Sequence, residues 1–231
     1  MKIYYAKISE LSEEERQYAM LLLPEVRTEK IIRTKQKKNQ LQSIYAGILL
    51  EYALQEMGVN GKALTFQKNA DGKPSIKELP DFHYNLSHTK EYVALVVDTH
   101  AVGIDVEGVR AGYQKLATRF FSVEEVSYLE ENWSDLLFTK FWTRKESYLK
   151  ATGYGMRMPL DAFSTLYGQV EINEKMPKEM IEEGAKFYLE SIQIDEAYWL
   201  SVCSKGKTDD MNSDGITLKQ VDIKGMLEKG K

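Results

Sequence analysis

Two long helical patterns set the frame of this chain. Residues 38–57, closed by Gly58, and residues 134–152, closed by Gly153, are each followed by about three strand-like segments. A glycine just past a helix end supplies the left-handed cap, and a long helix beside several strands buries its apolar face against a sheet. Before the first long helix, residues 2–8 read as a strand. Ser12 with Glu15 forms a capping box for a helix to Leu23, and Pro24 opens the next. Strands are expected near 63–68, 82–86 and 91–98, with a turn at Asn69–Gly72. The second half repeats the order: a strand at 101–107, helices near 113–120 and 122–131, the long helix, and strands near 160–167, 185–194 and 197–204. The echo is one of pattern and not of sequence. It makes internal duplication a hypothesis that unrelated topologies would remove. Domain limits follow: 1–100, 101–204, and a 205–231 tail. In that tail residues 205–215 form a polar loop, and the last stretch adds a strand or short helix with a fraying basic end.

Bulk properties exclude several classes. With 231 residues, 43% apolar and 29% charged, the chain is of ordinary globular composition. The net charge of −4 argues against general nucleic-acid binding. A single cysteine, Cys203, rules out an internal disulfide and reads as a small buried residue. No run approaches membrane-spanning length, and the opening MKIYYAKISE is a strand pattern and not a signal peptide. A cytoplasmic enzyme with no membrane or nucleic-acid partner is expected.

The chemistry sits in two short runs. In Gly103-Ile104-Asp105-Val106-Glu107 the two carboxylates are two residues apart, so on a strand they share a face while Ile104 and Val106 turn to the core. Glu146 and Lys150, four apart in the run from Trp142, share a helical face. Alone, the first pair is better explained as a polar strand face and the second as a helix salt bridge. Together, three carboxylates and an ammonium suit a hard divalent cation and phosphate oxygens. Asn85-Leu86-Ser87-His88 ends a strand with two groups able to donate to phosphate. Residues 27–38 hold six basic residues and one acid; a solvated helix face explains most of them, yet Arg27 and Lys30 can converge on one phosphate. Lys73, between Gly72 and Pro74, can reach a diphosphate as a point charge.

In this order, Gly72-Lys73-Pro74, Asn85 to His88, Gly103 to Glu107, Phe120-Phe121-Ser122 and Trp142 to Lys150, the motifs resemble those of the 4′-phosphopantetheinyl transferases of the surfactin-synthetase-activating type. The likeness spans roughly residues 1–205. It implies two similar α+β halves about a pseudo-twofold axis, with the site in the cleft of a monomer. It implies transfer of phosphopantetheine from coenzyme A to a serine of an apo carrier protein (peptidyl, acyl or polyketide), with release of 3′,5′-ADP. By motif, Asp105, Glu107 and Glu146 would ligate Mg²⁺, or Mn²⁺ in its place, and Lys150 would neutralise the diphosphate or protonate the leaving oxygen. His88, Arg27 and Lys30 would meet the 3′-phosphate; Ser43, Lys73, Pro74 and Ser87 would meet the nucleotide portion. The base for the serine proton would be Glu146, directly or through a water on the metal, or Glu125, which also completes a capping box with Ser122. Arg110, Lys115 and Arg119 beside Phe120 and Phe121 would dock an acidic carrier. Two other readings compete: a metal-dependent nucleotide phosphodiesterase, and a catalytically silent module that binds coenzyme A or the carrier.

Overall fold

The computed structural model describes residues 1–69, 72–206 and 215–230. The first half runs β1 (Lys2–Lys7), α1 (Glu13–Leu22), α2 (Glu25–Arg33), α3 (Lys37–Gln55), a ribbon of β2 (Phe66–Lys68) and β3 (Pro74–Ile76), then the hairpin β4 (His83–His88) and β5 (Tyr92–Asp98). The second runs β6 (Val102–Gly108), α4 (Gln114–Phe120), α5 (Val123–Glu131), α6 (Asp135–Thr152), a ribbon of β7 (Phe163–Ser164) and β8 (Glu171–Ile172), then the hairpin β9 (Phe187–Asp195) and β10 (Tyr198–Lys205). The chain ends in β11 (Thr217–Gln220) and α7 (Ile223–Lys229).

Both halves share one topology. In each, the opening strand pairs antiparallel with the second strand of the later hairpin: the orders are β1-β5-β4 and β6-β10-β9. The duplication seen as a pattern of elements is therefore a duplication of topology, and the α+β expectation holds. The last stretch, expected to add a strand or a helix, adds both. Strand β11 lies parallel to β1, and Val221, Ile223 and Leu227 bury themselves in the first half's core. Most of the expected 205–215 loop lies outside the described residues.

Local chemistry explains the elements. Capping boxes start α1 and α5: Ser12 and Ser122 each accept from the backbone N–H three residues on, and Glu15 and Glu125 reach back. Helix α3 is apolar nearly all round because it lies between its sheet and helices α1, α2 and α7. Gly153 ends α6 at φ +82, its N–H bonding Leu149 O at 2.9 Å. Two strand expectations shrink. The segment near 63–68 opens with a 3₁₀ turn capped by Asn60, and 160–167 keeps only β7 after a 3₁₀ turn. Strand β3 is a strand the periodicity does not reveal, because three residues are too few to show a period.

Strand β5 is buried on both faces. Val93, Leu95 and Val97 face α3, while Tyr92, Ala94 and Val96 meet Val102, Ile104, Val106, Leu200 and Val202 across the seam between the halves. With Ile104 and Val106 spent on that seam, the alternate residues of β6 face α6. Gly103 lets the helix lie directly on the strand: a Cβ there would stand 2.1 Å from Ser147 O.

Candidate active site

The open edge of β6 is satisfied by side chains of the first half. Lys73 Nζ donates to Val102 O at 3.1 Å and to Ala151 O at 2.7 Å. Ile104 N donates to Asn85 Oδ1 at 3.0 Å, and Val106 N to Ser87 Oγ at 3.4 Å. Buried backbone groups need such partners. These bonds fix where β6 carries its carboxylates.

At that edge Ser87 Oγ donates to Asp105 Oδ1 at 2.8 Å. Lys150 Nζ donates to Asp105 Oδ1 at 2.7 Å and to Ser87 Oγ at 3.0 Å. The other oxygen, Asp105 Oδ2, is buried and has no partner. A cavity of about 390 Å³ opens here, walled by Ser87, His88, Asp105, Glu107, Trp142, Glu146 and Lys150. Burial, then the Asp105 charge, pushes Glu107 up to about 7. The same causes raise Glu146, against the pull of Lys150. His88 stands at the rim with its outer side exposed, and partial loss of water around the ring, followed by the Lys150 charge, lowers its imidazole pKa.

Two further cavities adjoin. One of about 250 Å³ shares Glu146 and Lys150 and runs between Gly72-Lys73-Pro74 and Gly153–Met156. The other, about 310 Å³, shares Glu107 and Trp142 and is walled by Tyr113, Leu116 and Phe138. Nothing in the sequence drew attention to this apolar chamber, because its walls come from separate helices.

Among the described residues, no three histidine, cysteine or acidic side chains stand close enough together to hold a metal ion. The donor chemistry at the cavity is nevertheless the all-oxygen kind that a hard cation takes. Asp105 presents an unpartnered buried oxygen, and the two other carboxylates in the same cavity are raised by burial and by Asp105.

Not every expected residue joins them. Glu125 has 0% exposure and is spoken for. Its Oε1 accepts from Thr165 N and Oγ1, both at 2.7 Å, and its Oε2 accepts from Ser122 N and pairs with Lys145 Nζ at 2.7 Å. That geometry turns it away from the cavity. Lys73 spends its ammonium on backbone carbonyls, and burial pulls its pKa down to about 8. Pro74 begins β3 beside the second cavity. Arg27 turns inward, near Tyr84 and Glu51 and 5.6 Å from the Phe66 ring, with its Nε buried and unpartnered. Lys30 is exposed and near enough to His88 to contribute to its lowered pKa. Ser43 is half-buried on α3 and walls none of the three cavities. Arg110, Lys115 and Arg119 are exposed, with Arg110 3.8 Å from Glu107. Phe121 is not part of that surface; it is buried and stacks on Phe138.

The run from Trp142 groups Lys145 with Glu146 and Lys150 as polar residues beside an apolar helix face, but Lys145 is fully buried and does not wall the cavity they share. It lies four residues from both Phe141 and Leu149, on the buried stripe of α6. A charge spaced four from apolar residues on both sides is the signal that separates it from its two neighbours.

A family model described as the 4′-phosphopantetheinyl transferase superfamily matches residues 101–203, and one described as 4′-phosphopantetheinyl transferase, N-terminal, matches residues 10–100. The chain is 30% identical over 212 residues to the 4′-phosphopantetheinyl transferase Sfp of Bacillus subtilis, covering 88% of this chain and 92% of that one. It is 31% identical over 179 residues to the 4′-phosphopantetheinyl transferase gsp of Aneurinibacillus migulanus, covering 72% and 70%. To the 4′-phosphopantetheinyl transferase HetI of Nostoc it is 33% identical over 119 residues, covering 48% and 50%. The doubled topology, the carboxylates at its seam and these matches along nearly the whole chain agree: the protein belongs to the 4′-phosphopantetheinyl transferase family.

Proposed function

We propose that this protein transfers 4′-phosphopantetheine from coenzyme A to a serine of an apo carrier protein and releases 3′,5′-ADP. The observation that carries the reading is the cavity in which three carboxylates and Lys150 meet at the seam. The carrier serine oxygen bonds to the phosphorus that bears pantetheine, the bond from that phosphorus to the oxygen of 3′,5′-ADP breaks, and the serine proton passes to Glu146. Glu146 lines the cavity beside Lys150, which is the position a base for that proton needs. Lys150 donates its remaining N–H to the departing diphosphate oxygen. Asp105, Glu107 and Glu146 would hold a divalent cation, Mg²⁺ or Mn²⁺, which would supply positive charge to the diphosphate. Lys30 and His88 receive the 3′-phosphate, and the nucleotide lies against Gly72, Pro74 and the stem of Lys73. In this division the first half reads the nucleotide and the second holds the carboxylates. Both halves come from one chain, so a monomer suffices. Arg110, Lys115 and Arg119 form the landing surface for an acidic carrier of the peptidyl, acyl or polyketide type. No helix among the described residues is long and apolar enough to cross a membrane, in keeping with action in the cytoplasm.

The test is the intact mass of an apo carrier after incubation with the protein, coenzyme A and Mg²⁺. The expected result is a gain of one phosphopantetheine, lost when EDTA is added. Cleavage of coenzyme A without a carrier would turn the reading to a phosphodiesterase. No change in either would leave a binding module.

A further inference from the structure

The hairpin turn that follows His88 hangs from helix α3. Strand β4 ends at His88 and, among the described strands, is an edge strand paired only with β5. The place of His88 therefore depends on the turn Thr89–Tyr92 as much as on the sheet. In a plain turn the N–H of the fourth residue bonds to the carbonyl of the first. Here Tyr92 N bonds to Thr89 Oγ1 at 3.2 Å, as does Glu91 N at 3.2 Å. The Thr89 carbonyl goes instead to Gln42, whose Nε2 donates to it at 2.5 Å.

That bond is made away from water, since Gln42 is 6% exposed and Thr89 8%. Gln42 stands near the start of α3, between the buried Leu41 and Ile44. The same stretch of helix is tied down by Tyr45, whose hydroxyl donates to Ser9 O at 3.1 Å. The turn is thus held to a long, well-anchored helix by one side-chain amide. Removing that amide would leave a buried carbonyl without a donor, which costs more than the bond itself is worth. No step of the reaction calls on Gln42, and it walls none of the three cavities at the seam. Its neighbour through the turn, His88, does wall the central one.

We propose that Gln42 is a positioning residue of the transferase: it holds the Thr89 carbonyl, and through that turn it sets His88 at the rim where the 3′-phosphate of coenzyme A is received. This assignment rests on the proposed function for the place of the 3′-phosphate but not for the fixing of the turn.

Full-length wild type, Q42M, H88A and Q42M/H88A are compared by calorimetry, with Mg²⁺ and no carrier, in binding coenzyme A and 3′-dephospho-coenzyme A. Methionine keeps the length of the side chain without its amide. In Q42M, coenzyme A binding weakens about fivefold, or about 1 kcal/mol at the usual conversion. The dephospho analogue stays within about twofold of wild type. With His88 already removed, Q42M changes coenzyme A binding by less than about twofold, because its effect passes through the imidazole. A full loss in the H88A background would make Gln42 a direct phosphate contact and overturn the proposal. Equal losses for both ligands, or no loss for either, would overturn it as well. Amide hydrogen exchange without ligand reads the turn alone: the Glu91 and Tyr92 N–H groups exchange about tenfold faster in Q42M, and wild-type rates would refute the assignment. If Q42M does not fold, Q42N carries an amide one methylene too short to reach Thr89 O and is expected to show the same selective loss; wild-type affinity for coenzyme A in Q42N would overturn the proposal. Wild type that binds the two ligands equally would defeat the placement of the 3′-phosphate alone. The Gln42 assignment would then stand or fall on hydrogen exchange in the turn.

Discussion

Replacing Lys145 by methionine should cost more stability than any surface change in this protein. The Lys145 side chain is 1% exposed and that of Glu125 0%, with Nζ and Oε2 2.7 Å apart. Lys145 also donates to Leu160 O at 2.7 Å and Phe163 O at 2.8 Å, and its ammonium stands 4.2 Å from the centre of the Phe163 ring. Burial lowers its pKa even against the attraction of Glu125. K145M leaves a buried carboxylate without a counter-charge and two carbonyls without donors. Breaking one side of such a pair costs about 3–5 kcal/mol. At roughly 2–4 °C per kcal/mol for a chain of this size, the midpoint falls by about 6–20 °C. In K145M/E125Q both charges are gone, and the Gln oxygen can still accept from Thr165, so the double change should cost less than the sum of the singles by about 2 kcal/mol. Urea unfolding followed by the fluorescence of the three tryptophans reads this directly. Strictly additive costs would refute the coupling. The same variants separate structure from chemistry. Folded E125Q should lose less than about tenfold in turnover, against the 10²–10⁴ expected when a general base is removed. A folded but silent E125Q would return Glu125 to the base role.

Three further outcomes are expected. G103A places a methyl group 2.1 Å from Ser147 O and 2.4 Å from Ala151 N, so α6 must lift from β6; a loss of about 1–3 kcal/mol with a larger loss of turnover is predicted, and wild-type values in both would contradict it. Lys73 titrates near 8 in the folded chain and near 10.4 unfolded, so from about pH 8 to 10 the unfolded chain holds the extra proton and wild type gains unfolding free energy relative to K73M as pH rises; a difference that is flat from pH 7 to 10 would rule this out. Charge reversal at Lys115 and Arg119, both exposed, should raise KM for the carrier and spare KM for coenzyme A, and unchanged carrier kinetics would dispose of the landing surface.

Much of the fold was legible because its signals are local. Capping boxes join residues three apart, glycine stops sit at helix ends, and helical and strand periods show within a dozen residues. Both long helices and both hairpins fall where periodicity puts them, and the common order of elements foreshadowed the common topology. The carboxylates Asp105, Glu107 and Glu146 were readable with Lys150 for the same reason: strand and helix periods put each pair on one face, and all four wall one cavity.

Roles were less legible than positions. Residue type and spacing say that Ser87 and Lys73 can donate, but not to what. Their partners Asp105, Val102 and Ala151 lie far along the chain and reach them only when β4 and the ribbon meet β6. Glu125 offers the sharpest contrast. A cap and a base need the same carboxylate, and only its enclosure by Lys145 and Thr165 makes it a buried strut. The sequence by itself determined the elements, their duplicated order and the inventory of charges, since these depend on neighbours along the chain. The tertiary structure alone decided which charges face the cleft, which are spent across the seam and which are sealed in the core, because hydrogen-bond partners and dielectric surroundings are set by residues distant in sequence.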